Sequence, residues 1–224
     1  MAKLLLYIAA TLCLIGSDYA VGGQTSNSLT TQAREPLPTV AKSDYKDFDI
    51  IFHTSESNQS LAVQQATKSI YSHMGIIIFR KEKPYVFEAV SPVKFTLLSD
   101  WKARGKKGKY VIKRLKNHDT LLTTETRATV SEFIQDFENK PYDLTFEWSD
   151  ERLYCSELVW KLYDRAFNIQ LAPLARLEDF NLTSPPVKAK LKERYGYNIP
   201  YKEKVISPQA IFDSTLLYTV ESKF

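Results

Sequence analysis

His73-Met74-Gly75-Ile76-Ile77-Ile78-Phe79-Arg80-Lys81-Glu82-Lys83-Pro84-Tyr85-Val86-Phe87-Glu88-Ala89-Val90 holds two β-rich runs around a charged break. Branched and aromatic residues fill Met74–Phe79 and Tyr85–Val90, so a β-hairpin is expected. Glu88 is an acid inside an otherwise apolar strand, which is costly to bury unless it is paired. Strand parity decides the partner. With a two-residue turn at Arg80-Lys81, Phe79 opposes Glu82 and His73 falls directly opposite Glu88. A four-residue loop leaves the two diagonal on one face, and a three-residue loop sends them to opposite faces. On one face, the carboxylate fixes the imidazole tautomer and supports the imidazolium. A purely structural His–Glu pair satisfies the same pattern.

Working outward, Ser156–Phe167 carries the strongest helical period in the chain, with apolar residues at 158, 159, 162, 163, 166 and 167. Cys155 stands just before it. A thiol at a helix N-terminus feels the positive end of the dipole and free backbone N–H groups, both of which favour the reactive thiolate. The same N–H groups can receive an oxyanion. A Cys at a helix start, a His on a strand and an acid on the next strand are what nucleophilic acyl transfer needs. The plainer alternative is a buried cysteine acting as a small hydrophobe.

The rest of the chain supplies the frame. Phe48–Phe52, Tyr110–Leu115 and Leu216–Val220 read as strands, and Ser57–Lys68 and Thr124–Glu138 as helices, the first capped by Ser57 or Asn58. Ser207-Pro208 is a cap and first-turn pair for a short helix. Strands with flanking helices give an α+β fold with a mostly antiparallel sheet. His53 ends a strand, and His118 lies in a polar stretch expected to be solvated.

The 224 residues are 44% hydrophobic and 25% charged, ordinary values for a chain that buries one core. Seven glycines exclude collagen-like and glycine-rich chains. A net charge of +4 is too small to point to nucleic acid. Lys3 followed by the uncharged run Leu4–Ile15 and small residues to Gly23 reads as an export signal. Twelve residues span about 18 Å as a helix, short of a bilayer core of about 30 Å. The expected organisation is a signal peptide over 1–22, a polar leader over 23–43 and one domain over 44–224, in a periplasmic or secreted protein. Cys13 would leave with the signal, so Cys155 would have no partner for a disulfide. Three histidines and one mature cysteine show no metal-ligand spacing, and neither a metal nor a cofactor is expected.

Taken together, Asp49–Thr54, Tyr71–Ile76, Phe87-Glu88-Ala89, Pro141-Tyr142-Asp143 and Tyr154–Val159 resemble the permuted papain-like cysteine hydrolases, within the YiiX-like branch of the NlpC-type group. The resemblance covers about residues 44–220. It implies a circularly permuted papain-like fold and a catalytic triad of Cys155, His73 and Glu88. It also implies an amidase or peptidase of cell-wall peptides, or a hydrolase of lipid-type amides and esters.

Tyr142, Tyr154 and the helix start at Ser156 are further candidates for the cleft and oxyanion site. Lys102–Lys116 contains eight basic residues and no acid, so the remainder of the chain is net −4 once these are taken from +4. This stretch reads as a solvated surface loop, with contact to anionic wall polymer or lipid as the functional alternative. The expected activity is amide cleavage of a cell-envelope substrate through an acyl-enzyme. Its rivals are a lipid acyltransferase or thioesterase on the same triad, which a greasy cleft would favour, and a non-catalytic module of the same fold.

Overall fold

The computed structural model of the protein describes residues 44–57 and 59–224. The expected signal peptide, the leader and Cys13 lie outside the described residues. Strands β1 (Ile50–His53), β2 (His73–Arg80), β3 (Lys83–Glu88), β4 (Lys94–Leu97) and β5 (Tyr110–Leu115) follow one another early in the chain. β6 (Ala175–Arg176) and β7 (Lys204–Val205) form a separate antiparallel pair, and β8 (Leu217–Lys223) closes the fold. The main sheet runs β4-β3-β2-β1-β5-β8, antiparallel throughout. Its helices are α1 (Ser60–Thr67), α2 (Leu98–Ala103), α3 (His118–Leu121), α4 (Thr124–Phe137), α5 (Cys155–Phe167), α6 (Pro185–Tyr195) and α7 (Pro208–Phe212). The expected α+β class and antiparallel sheet are what the molecule has.

Both faces of the central strands are covered, which is why Ile76-Ile77-Ile78 is a continuous apolar run rather than an alternating one. Met74, Ile76 and Ile78 join the larger core with Phe133 and Phe137 of α4 and Leu158 and Leu162 of α5. Ile77 joins Ile51, Val86, Ile112 and Trp101 on the other face, beneath α2. From Cys155 to Tyr163 every residue of α5 is buried. Its two internal charges, Glu157 and Lys161, pair with each other at 2.7 Å. α4 starts at a reciprocal cap, Thr123 accepting from the Thr126 N–H at 3.2 Å and donating its own N–H to the Thr126 hydroxyl at 3.0 Å. α7 starts on Ser207 as expected, with the Ala210 N–H on its hydroxyl at 3.1 Å.

Several expectations are corrected. The hairpin turn is Lys81-Glu82 rather than Arg80-Lys81, with both residues at positive φ (48° and 62°), as a two-residue hairpin turn requires. Glu88 therefore falls opposite Gly75 and diagonal to His73, on the same face, since the pairing slid by an even step. α1 begins at Ser60 with Gln59 before it, three residues later than expected. The basic stretch is not a solvated loop: it spans the end of α2 and all of β5. Lys102 donates to the Tyr45 and Tyr110 hydroxyls at 2.7 and 3.0 Å. Arg114 grips buried Asp49 with two N–H donors at 2.6 and 2.7 Å, and Lys113 donates to the Phe212 carbonyl. Lys106, Lys107, Lys109 and Lys116 remain exposed. His118 is buried, not solvated, its Nε2 at 2.7 Å from the Asp47 carbonyl oxygen.

Gly75 is set by close approach between β2 and β3. A Cβ there would lie 2.4 Å from Val86 Cγ1 and 2.9 Å from the Phe87 carbonyl oxygen. Gly75→Ala is expected to destabilise the domain by about 1–3 kcal/mol by overpacking. The lowered midpoint of a urea titration checks this, and an unchanged midpoint would contradict it.

Candidate active site

Three element ends meet at one end of the sheet. β2 begins at His73, β3 ends at Glu88 and α5 begins at Cys155. Each residue therefore sits where regular backbone gives way to a cleft, held by a rigid element behind it.

Glu88 is fully buried and both of its oxygens are occupied. Oε2 lies 2.7 Å from His73 Nε2 and accepts from Trp101 Nε1–H at 2.9 Å. Oε1 accepts from the Thr96 hydroxyl at 2.5 Å and from an N–H of Arg104. Burial alone would raise its pKa. The bonds from His73 and Thr96 and the Arg104 charge overcome this and bring it to about 2. As a fixed carboxylate, Glu88 keeps a hydrogen on His73 Nε2. That leaves Nδ1 as the ring nitrogen free to exchange a proton with Cys155, which acts on the same ring. Burial pushes His73 down, but its bonds to Cys155 and Glu88 prevail and bring it up to about 9. The imidazolium is the favoured form at neutral pH.

His53 packs beside this pair. Its ring stacks on Trp101 at 4.0 Å and lies 5.4 Å from His73. Burial, with the charges of His73 and Arg104, lowers its pKa to about 2, so it is a neutral ring that holds Trp101 over Glu88.

The weaker candidates Tyr142, Tyr154 and Ser156 all line the recess beside Cys155, and they differ in where their hydroxyls go. The Tyr142 hydroxyl accepts from Gln59 Nε2 at 3.1 Å, while Gln59 Oε1 accepts from Arg194 at 2.7 Å. This chain fixes the amide orientation and leaves the Tyr142 O–H as a donor toward the cleft. Burial, with the nearby Cys155, holds its pKa above the ordinary phenol value, so it keeps that proton. Tyr154 instead turns its hydroxyl to the Ile206 N–H at 3.0 Å. The Ser156 hydroxyl donates to the Ile206 carbonyl at 2.8 Å. Both side chains tie α5 to the β7–α7 segment, so these two positions can offer an oxyanion backbone N–H groups of the helix start but not their hydroxyls.

Two recesses flank the pair. On the thiol side, a cavity of about 100 Å³ is lined mainly by apolar groups, among them Ala62, Val63, Leu177, Val187, Leu191 and Ile206. On the imidazole side, a larger recess of about 390 Å³ has a more polar lining than the first. Gln59, Ser72 and Tyr142 border both. Sequence reasoning missed Thr96, Trp101, Arg104 and Gln59. The signal for Arg104 and Trp101 was their place in and beside the basic stretch, where a buried acid elsewhere needed donors.

This geometry agrees with what the chain is similar to. A family model described as permuted papain-like amidase enzyme, YaeF/YiiX, C92 family, matches residues 44–221. The chain belongs to that family. It is 49% identical over 176 residues to "Uncharacterized protein YiiX" of Escherichia coli K12, covering 79% of this chain and 86% of that protein. A crystal structure described as metalloprotein YiiX from Escherichia coli O157:H7 superposes with a TM-score of 0.75 at 49% identity, covering 80% of this chain and 98% of that one. The permuted papain-like fold is thereby shown.

That description of a metalloprotein does not fit the donor set here. Both oxygens of Glu88 are filled by four donors and Nε2 of His73 is committed to Glu88. Among the described residues, no three His, Cys, Asp or Glu side chains stand together as a ligand set. No step below runs through a metal.

Proposed function

We propose that the protein is an exported thiol amidase in which Cys155 is the nucleophile, His73 the proton carrier and Glu88 its orienting carboxylate. The observation that carries this is Glu88 2.7 Å from His73 Nε2, with Cys155, at the N-terminus of α5, among the groups that act on the same ring. The Cys155 sulfur attacks the amide carbonyl carbon, and the oxyanion faces the helix-start N–H groups and the Tyr142 O–H. His73 then gives its proton to the amine as the C–N bond breaks, leaving a thioester on Cys155. Water attacks the thioester, passing its proton to His73, and the acid and free thiol are released. Export is supported by the apolar run at Leu4–Ile15 followed by small residues.

The apolar cavity beside Cys155 favours a lipid-type acyl group over a cell-wall peptide. It also supports a second reading, transfer of that acyl group to an alcohol or amine instead of water. The test is amine release from an N-octanoyl amide and from a muropeptide, using wild type and Cys155→Ala. The expected result is faster release from the octanoyl amide, abolished by Cys155→Ala. Cleavage of neither substrate, or cleavage that survives Cys155→Ala, would overturn the proposal. Added glycerol that diverts octanoate into ester would favour transfer.

A further inference from the structure

The two recesses differ in chemistry, and an amide has two ends. With the acyl group beside Cys155, the leaving amine must lie on the side of the group that protonates it, in the cleft that His73 borders. That cleft carries positive charge from Arg104 and His73 and hydrogen-bonding groups from Ser57, Gln59, Ser91 and Tyr142. No Asp or Glu side chain is among its described lining residues. Glu88 lies beneath the wall, fully buried, and takes one N–H of Arg104. A guanidinium has five N–H donors in a rigid fork. The Arg104 side chain keeps 44% of its surface exposed, so it has donors to offer beyond Glu88.

We propose that this cleft is a leaving-group subsite for an amine that carries an anionic oxygen group, a carboxylate or a phosphate. This rests on the amidase reading and adds the substrate class to it: an N-acyl amide with an apolar acyl end and an anionic amine end. Arg104 would then have two tasks, holding Glu88 from one side and the substrate anion from the other. Charge-assisted hydrogen bonds of this kind are stronger than neutral ones and set which substrate is chosen.

The test uses matched pairs of which one member carries an anionic group at the amine end and the other a neutral one. One arm compares N-octanoylglycine with N-octanoylglycinamide, the other N-octanoylphosphoethanolamine with N-octanoylethanolamine. Turnover is measured with wild type, and binding with Cys155→Ser by calorimetry. The anionic member of at least one pair is expected to be favoured by about tenfold in both measurements, the arm with the larger ratio naming the anion. In Arg104→Gln that ratio should fall toward one, whatever happens to overall activity. In Ser91→Asp, which puts a carboxylate on the cleft wall while leaving Glu88 and His73 themselves unaltered, it should invert. Turnover of both members of each pair at equal rates would overturn the subsite and leave the amidase reading intact. Charge-selective binding by Cys155→Ser with no turnover by wild type would overturn the amidase reading and leave the subsite. A ratio unchanged by both Arg104→Gln and Ser91→Asp would also overturn the subsite.

Discussion

His73→Ala is expected to lower kcat/KM for amide cleavage by on the order of 10⁴, as loss of one member of a group that acts as a unit does. His73 activates the thiol before attack and supplies the proton without which an amine is a poor leaving group. The pH profile gives a second readout. The folded imidazolium titrates at about 9, above its ordinary 6.5, because Cys155 and Glu88 outweigh burial. In wild type, kcat/KM should therefore fall as pH rises through about 9, where the proton needed by the leaving amine is lost. The same shift bears on stability. A group whose pKa is raised on folding contributes stability fully present below about 6.5 and lost as pH rises through about 9. A wild-type profile without a basic limb near 9, or a limb that persists in His73→Ala, would contradict this.

Glu88→Gln should act on both activity and fold. Gln keeps the shape but removes the charge that supports the imidazolium, so the basic limb of kcat/KM moves to lower pH. It also leaves Arg104 without its counter-charge and gives His73, Trp101 and Thr96 a weaker acceptor. Breaking a buried ion pair from one side costs about 3–5 kcal/mol, measurable as a lowered urea midpoint. The pH dependence has the opposite sign to that of His73. The Glu88 carboxyl, lowered from 4.5 to about 2, contributes stability present above about 4.5 and lost as pH falls through about 2. Glu88→Gln should flatten that acid limb. An unchanged acid limb and midpoint would show that Glu88 is not the charged centre of the site.

What the sequence revealed and concealed follows from the range of each interaction. The pairing of His73 with Glu88 was legible because strand parity tolerates an even register slip: the turn moved from Arg80-Lys81 to Lys81-Glu82 and the two stayed on one face. The helix start beside Cys155 was legible because the helical pattern of Ser156–Phe167 begins next to it, and α5 takes in Cys155 as its first residue. The other partners of Glu88 were not. Thr96, Trp101 and Arg104 come from β4 and α2, and no period marks a single side chain as a donor to a buried acid. Lys102, Lys113 and Arg114 were misread for a related reason. Their long stems pass through the interior to acceptors remote in sequence, such as Asp49, which lies 65 positions from Arg114. α6 escaped notice because its lysines mask a weak apolar stripe, although Ser184 followed by Pro185 and Pro186 is a helix-start signal. The apolar cavity that favours a lipid acyl group joins Ala62 of α1 to Leu191 of α6, a proximity that only the folded chain creates.

The central claim is that Cys155 carries the acyl group. The most direct measurement is rapid-quench mass spectrometry of the protein mixed with an N-octanoyl amide, followed by peptide mapping. An octanoyl group is expected on the peptide containing Cys155, formed and lost at rates that account for turnover and absent from Cys155→Ala. Amide cleavage by wild type with no adduct on that peptide, and at equal rate in Cys155→Ala, would contradict it.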